Sequence, residues 1–150
     1  MSTEVSRRST DIHRPSKTRS ALMKRVRRRG TTPEIEVRRA LRARGLRVRT
    51  NVTSLPGSPD MANRRSKVAI FVHGCFWHHH DGCRKATIPK TNAAFWIAKF
   101  RDNRLRDARA IGRLRQAGYR VVVIWECERT RIRSKLGKIL KARSVDARET

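Results

Sequence analysis

Acidic residues are scarce in this chain. Only 12 Asp and Glu stand against 38 Lys and Arg, a formal net charge of +26, and such a chain repels itself when compact unless a polyanion lies against it. Nucleic acid is the polyanion this balance calls for, although a ribosomal protein or a histone-like packer would carry the same charge. Cysteine is also rare. Three residues, an odd number with no apolar secretory segment ahead of them, argue against a disulfide framework and for thiol or metal roles in the reducing cytoplasm, near the nucleoid. Long apolar runs are missing too: the longest, Val68 to Val72, is far too short to cross a bilayer. Composition thus names a partner class and no activity.

A chain of 150 residues suits one domain around one core. Residues 1–30 are polar and basic, with Arg19, Lys24, Arg27 and Arg28 among many cations, and are expected to form an arm that orders on its ligand. Residues 31–140 are expected to be the folded domain and 141–150 a polar tail. Thr31-Thr32-Pro33-Glu34 opens a helix with a Thr cap, an early Pro and an acid in the first turn, Ile35, Val37, Ala40 and Leu41 give its buried side, and Gly45 ends it. Leu46, Val48 and Thr50 alternate with Arg47 and Arg49 as in a strand with one buried face. Val68 to Val72 reads as a central strand and Tyr119 to Trp125 as a second buried one. Between them Phe95, Trp96, Phe100, Ala108, Ile111 and Leu114 fall at roughly helical spacing before Gly118. Ile132, Leu136, Ile139 and Leu140 suggest a last short helix. The pattern is that of an α/β sandwich around a mixed sheet. Folding back at Asn63-Arg64-Arg65-Ser66 would set Asp60 beside Val72 and His73.

The densest chemistry is the stretch from His73 to Cys83, HGCFWHHHDGC, directly after the central strand. Cys75, His80 and Cys83 are spaced so that one loop can wrap an ion, and Cys127 can supply a fourth ligand. Three sulfurs and one nitrogen make a closed, structural zinc site. The plainer account is three buried cysteines beside a polar histidine run. Asp60, taken alone, reads as readily as an Asp capping a turn after Pro59, and Glu34 is accounted for by the dipole of the helix it opens.

Ser54-Leu55-Pro56-Gly57-Ser58-Pro59-Asp60, Ile70-Phe71-Val72-His73-Gly74-Cys75-Phe76-Trp77-His78, Phe95-Trp96 and Val123-Ile124-Trp125-Glu126-Cys127 occur in that order behind Thr32-Pro33-Glu34. Together they resemble the successive signatures of the very-short-patch (VSR) mismatch-repair DNA endonucleases, from about Arg19 to Cys127. The resemblance implies a restriction-endonuclease-like three-layer sandwich with a structural zinc loop. It also implies an enzyme that nicks one strand of duplex DNA beside a T:G mismatch, using Mg²⁺ for phosphodiester hydrolysis. By the same resemblance Asp60 and the Val72 backbone carbonyl hold Mg²⁺, His78 is the general base, His73 positions the phosphate, and Glu34 lies near the site. Phe76, Trp77 and Trp96 would wedge into the mismatched step, with Trp96 and Phe76 readable instead as core and zinc cover. Arg19, Lys24, Arg27 and Arg28 would hold DNA phosphates. A monomer working with other mismatch-repair proteins, without a membrane, is expected.

Two departures stand out. Gly82 looks like an extra residue in the zinc loop, and Val72 stands where some members have Thr. The competing class is a non-catalytic zinc-containing nucleic-acid-binding module, which gives Asp60 and His78 no task. A ββα-metal nuclease using the histidine run would need no carboxylate at Asp60.

Overall fold

A computed structural model describes residues 29–137; the arm cations Arg19, Lys24, Arg27 and Arg28, the expected helix residues Ile139 and Leu140, and the 141–150 tail lie outside them. The first helix, α1 (Thr32–Arg42), starts at Thr31 in extended conformation. The strands β1 (Arg49–Thr50), β2 (Met61–Asn63), β3 (Val68–His73) and β4 (Arg120–Trp125) form one sheet in that order. β1, β2 and β3 are antiparallel neighbours, whereas β4 runs parallel to β3 after the long helix α2 (Ala93–Gln116). The sheet is therefore mixed, as expected. A 3₁₀ turn (Glu126–Arg131) and a helical segment, 132–137, close the described chain.

Alternation along β3 sends side chains to both faces of the sheet. Val68 and Ile70 join Val37, Leu41 and Met61 under α1, with Ile132 and Leu136 closing that side. Ala69 and Phe71 join Leu114 and Tyr119 under α2. Helices thus cover both faces, which is why β3 is apolar at nearly every position.

Four expectations need correction. Leu46 is buried, yet it belongs to the end of α1: behind left-handed Gly45 (φ +74°) its N–H donates to the Leu41 carbonyl, a hydrophobic closure typical of helix C-termini. The first strand therefore begins only at Arg49, and Thr50 is exposed. β4 lies at one side of the sheet, so Ile124 alone along it is fully buried. On α2 the inward stripe is Trp96, Phe100, Asn103, Asp107, Ala110 and Leu114, while Phe95 and Ala108 face outward.

Candidate active site and metal centre

The active-site candidates meet at the end of the sheet where β3 runs out. Pairing of Met61 with Ile70 carries Asp60 back along β3, and the Val72 N–H donates to Asp60 Oδ2 at 2.6 Å. The hairpin thus does place Asp60 beside Val72. The loop ahead of it is held close to α2 by Gly57, whose φ is +73° and where an added Cβ would stand 2.5 Å from the Ala110 Cβ. Only glycine fits both demands. Burial pushes the Asp60 carboxyl up to about 6, with the Glu34 charge adding to the rise and the Val72 N–H and His78 opposing it.

His73, the last residue of β3, is 6% exposed and lies stacked on His78, ring centroids 3.8 Å apart and 4° from parallel. Burial first, then the neighbouring His78, push His73 down to about 4. It is a neutral ring at working pH. His78 Nδ1 lies 2.5 Å from Asp107 Oδ2, so a carboxylate fixes the ring and favours the proton on Nδ1, leaving Nε2 as the basic nitrogen. These groups line a cleft of about 680 Å³ together with Glu34, Trp77, Lys99 and Arg106.

Asp107 and Asn103 escaped the sequence reading. They occupy two turns of the inward stripe of α2, where polar residues interrupt an otherwise apolar seam, and that interruption was the available signal. Asn103 is buried and its Nδ2 donates to the Trp77 carbonyl at 2.9 Å, while Arg106 donates to Asn103 Oδ1. Glu34 reaches the cleft, yet both of its oxygens are engaged at the start of α1: Gly30 N–H and Thr31 Oγ1 each donate to it at 2.9 Å. Holding that helix start is its visible task.

Behind the cleft, Cys75, His80, Cys83 and Cys127 bring their ligand atoms within 4.8 Å of one another. His80 Nδ1 is 3.3 Å from Cys127 Sγ and 3.7 Å from Cys75 Sγ, and its ring is stacked on Trp125 at 4.0 Å. Donors around a tetrahedral zinc stand about 3.8 Å apart, so this set needs only a small contraction to hold the ion. Burial first of all pushes the Cys75 thiol up to about 12, while a backbone N–H from Lys85 chiefly lowers Cys83. A cation would have to displace the Cys75 proton. Gly82 sits exposed at φ +67° with nothing near its Cβ position, and the four-residue cluster forms with it in the loop.

Of the expected wedge residues, Trp96 is 5% exposed and packs its ring on Phe76 and Phe100. Phe76 and Trp77 are half-buried and edge to face, and Trp77 alone of the three lines the cleft.

A histidine oriented by a carboxylate, beside a half-buried aspartate, in a cleft that also carries Lys99 and Arg106 on an α/β sheet is the apparatus of a phosphodiester-cleaving enzyme. The DNA mismatch endonuclease Vsr family matches residues 10–85. The chain is 41% identical over 117 residues, 78% of its length and 74% of the relative's, to the DNA mismatch endonuclease Vsr of Escherichia coli strain K12. It is 44% identical over 110 residues, 73% of the chain and 80% of the relative, to the type II nicking enzyme V.XorIIP of Xanthomonas oryzae pv. oryzae. A third relative is the type II nicking enzyme V.NmeAIP of Neisseria meningitidis, 41% identical over 119 residues, 79% of this chain and 84% of that one. The chain belongs to the Vsr DNA mismatch endonuclease family.

Proposed function

We propose that the protein nicks one strand of duplex DNA next to a T:G mismatch, in a restriction-endonuclease-like domain stiffened by zinc. The observation that carries this reading is the convergence of Asp60, His73 and the His78–Asp107 pair in one cleft, in a chain of the Vsr family. Asp60 and the Val72 backbone would hold Mg²⁺, which when bound polarises the scissile phosphate and offsets its charge. His78 takes the proton of the attacking water at Nε2, and Asp107 steadies the imidazolium that results. His73 stays neutral beneath it, so the ring that must accept a proton meets no second positive charge. Lys99 and Arg106 offer cations for the flanking phosphates.

Trp77, at the cleft and supported from behind by Phe76 and Trp96, is the side chain best placed to enter a poorly paired base step, where unstacking is least costly. A non-catalytic zinc module would need neither Asp60 nor the His78–Asp107 pair. The deciding experiment is incubation of supercoiled plasmid carrying a single T:G mismatch with protein and Mg²⁺. Open-circular product with the break beside the mismatch is expected; plasmid that stays supercoiled, or equal nicking of fully paired plasmid, rejects the proposal.

A further inference from the structure

At the β1 side of the sheet lies a second concavity, of about 420 Å³, whose rim is arginine: Arg47, Arg49 and Arg64. Its shape follows from the register. Arg49 pairs with Ala62, and directly opposed residues of an antiparallel pair share a face, so a long cation stands over a methyl group and leaves a hollow beside it. Arg47, ahead of the strand, lines the same hollow, and the Asn63 Nδ2 bond to the Arg47 carbonyl, 2.6 Å, holds its backbone to β2. Arg64, in the turn after β2, donates through Nη2 to Ser54 Oγ at 2.5 Å, which steadies its guanidinium at the rim. All three arginines are exposed, and among the described residues no carboxylate forms an ion pair with any of them.

Three cations gathered without an acid repel one another, and this arrangement is favourable only when an anion joins them. Asp60 and Ala62 lie two residues apart on one face of the same strand path, about 7 Å along it, so the groove opens on the side of the sheet that carries the catalytic aspartate.

We propose that this groove is a second DNA site, which clamps the phosphodiester backbone of the duplex next to the tract being cut and carries no preference for the mismatch. The proposal rests on duplex DNA being the substrate. Guanidinium groups match phosphate oxygens in pairs, which favours arginine here over lysine.

The test uses the full chain, the triple variant R47Q/R49Q/R64Q and the charge-keeping triple variant R47K/R49K/R64K, titrated without metal against matched and T:G duplexes at several salt concentrations. The Gln variant should lose affinity on the order of tenfold for both duplexes, and its salt dependence should flatten by about two to three phosphates' worth; the Lys variant should keep most of the slope. In a duplex with single methylphosphonate substitutions, at least one neutralised position should weaken the wild-type chain and leave the Gln variant unaffected. An unchanged slope in the Gln variant, equal losses in the Gln and Lys variants, or a loss confined to mismatched DNA overturns the proposal. Because binding is read without Mg²⁺, a wild-type chain that bound but never nicked would defeat the proposed reaction and still report on the groove.

Discussion

His73 and His78 lie face to face at 3.8 Å, and the two rings are held for different reasons. One is fixed by burial at the end of a strand, the other by a carboxylate reaching over from α2. Burial and the neighbouring His78 both hold the His73 ring in its neutral form.

His78→Ala is expected to lower the nicking rate by about 10² to 10⁴, the usual worth of a general base. Asp107→Asn, which leaves the ring but not its anchor, should cost less, about tenfold. In the double variant the Asp107 change should add almost nothing, since the group it orients is gone. Single-turnover rates on a T:G duplex measure this; fully additive losses would show that Asp107 acts apart from His78.

Asp60→Asn should abolish nicking and leave duplex affinity nearly intact, because the cationic surface is untouched. Since the Asp60 proton is held up to about 6, Mg²⁺ should bind progressively more weakly as pH falls through that value. Metal titrations of the rate at pH 5.5 and 7.5 check this, and a pH-independent metal requirement would remove Asp60 from the site.

Acid stability should follow His73. Its folded value near 4 lies below the ordinary 6.5, so its contribution is complete above pH 6.5 and is lost as pH falls toward 4, by up to about 3 kcal/mol. Asp60 acts with the opposite sign: raised from 3.8 to about 6, it favours the fold below 3.8 and loses that contribution as pH rises through 6. In metal-free protein the two partly cancel between pH 4 and 6. Urea midpoints across that range should therefore fall more steeply for Asp60→Asn than for wild type, and a parallel pair of curves would contradict the assignment.

Purified protein should carry about one tightly bound zinc, and Cys127→Ser should lower both zinc content and thermal stability, because closed sites contribute folding free energy directly. Elemental analysis finding no zinc in cooperatively folding protein would disprove it.

Trp77→Ala should cost more affinity for T:G than for matched duplex, since a wedge is repaid most where stacking is already poor. Equal losses on both duplexes would leave Trp77 a packing residue only.

The nearness of Asp60 to Val72 and the gathering of Cys75, His80, Cys83 and Cys127 were legible because each lies in a loop or strand end whose neighbours fix its place, whereas the roles given to Asp60 and the histidines came from the family resemblance. A two-residue period and one turn were enough to set Asp60 beside Val72. Asp107 is different. It comes from a helix far along the chain, and a search of that helix for an apolar stripe passes over the polar residues inside it. The same search placed Ala108 inward where the seam in fact continues through Ala110. Leu46 misled for a related reason: its alternation with Val48 is real, but the left-handed turn at Gly45 assigns it to the helix before the strand can begin.

The parallel register of β3 and β4 sets His73 opposite Trp125, so the histidine loop leaves one strand and Cys127 follows the other. The four zinc-ligand candidates therefore come from the ends of two strands distant in the chain, and they meet only where β3 and β4 are paired. A chain broken off before Cys127 would keep Asp60, the histidines and Asp107 and lose one of the four zinc-ligand candidates.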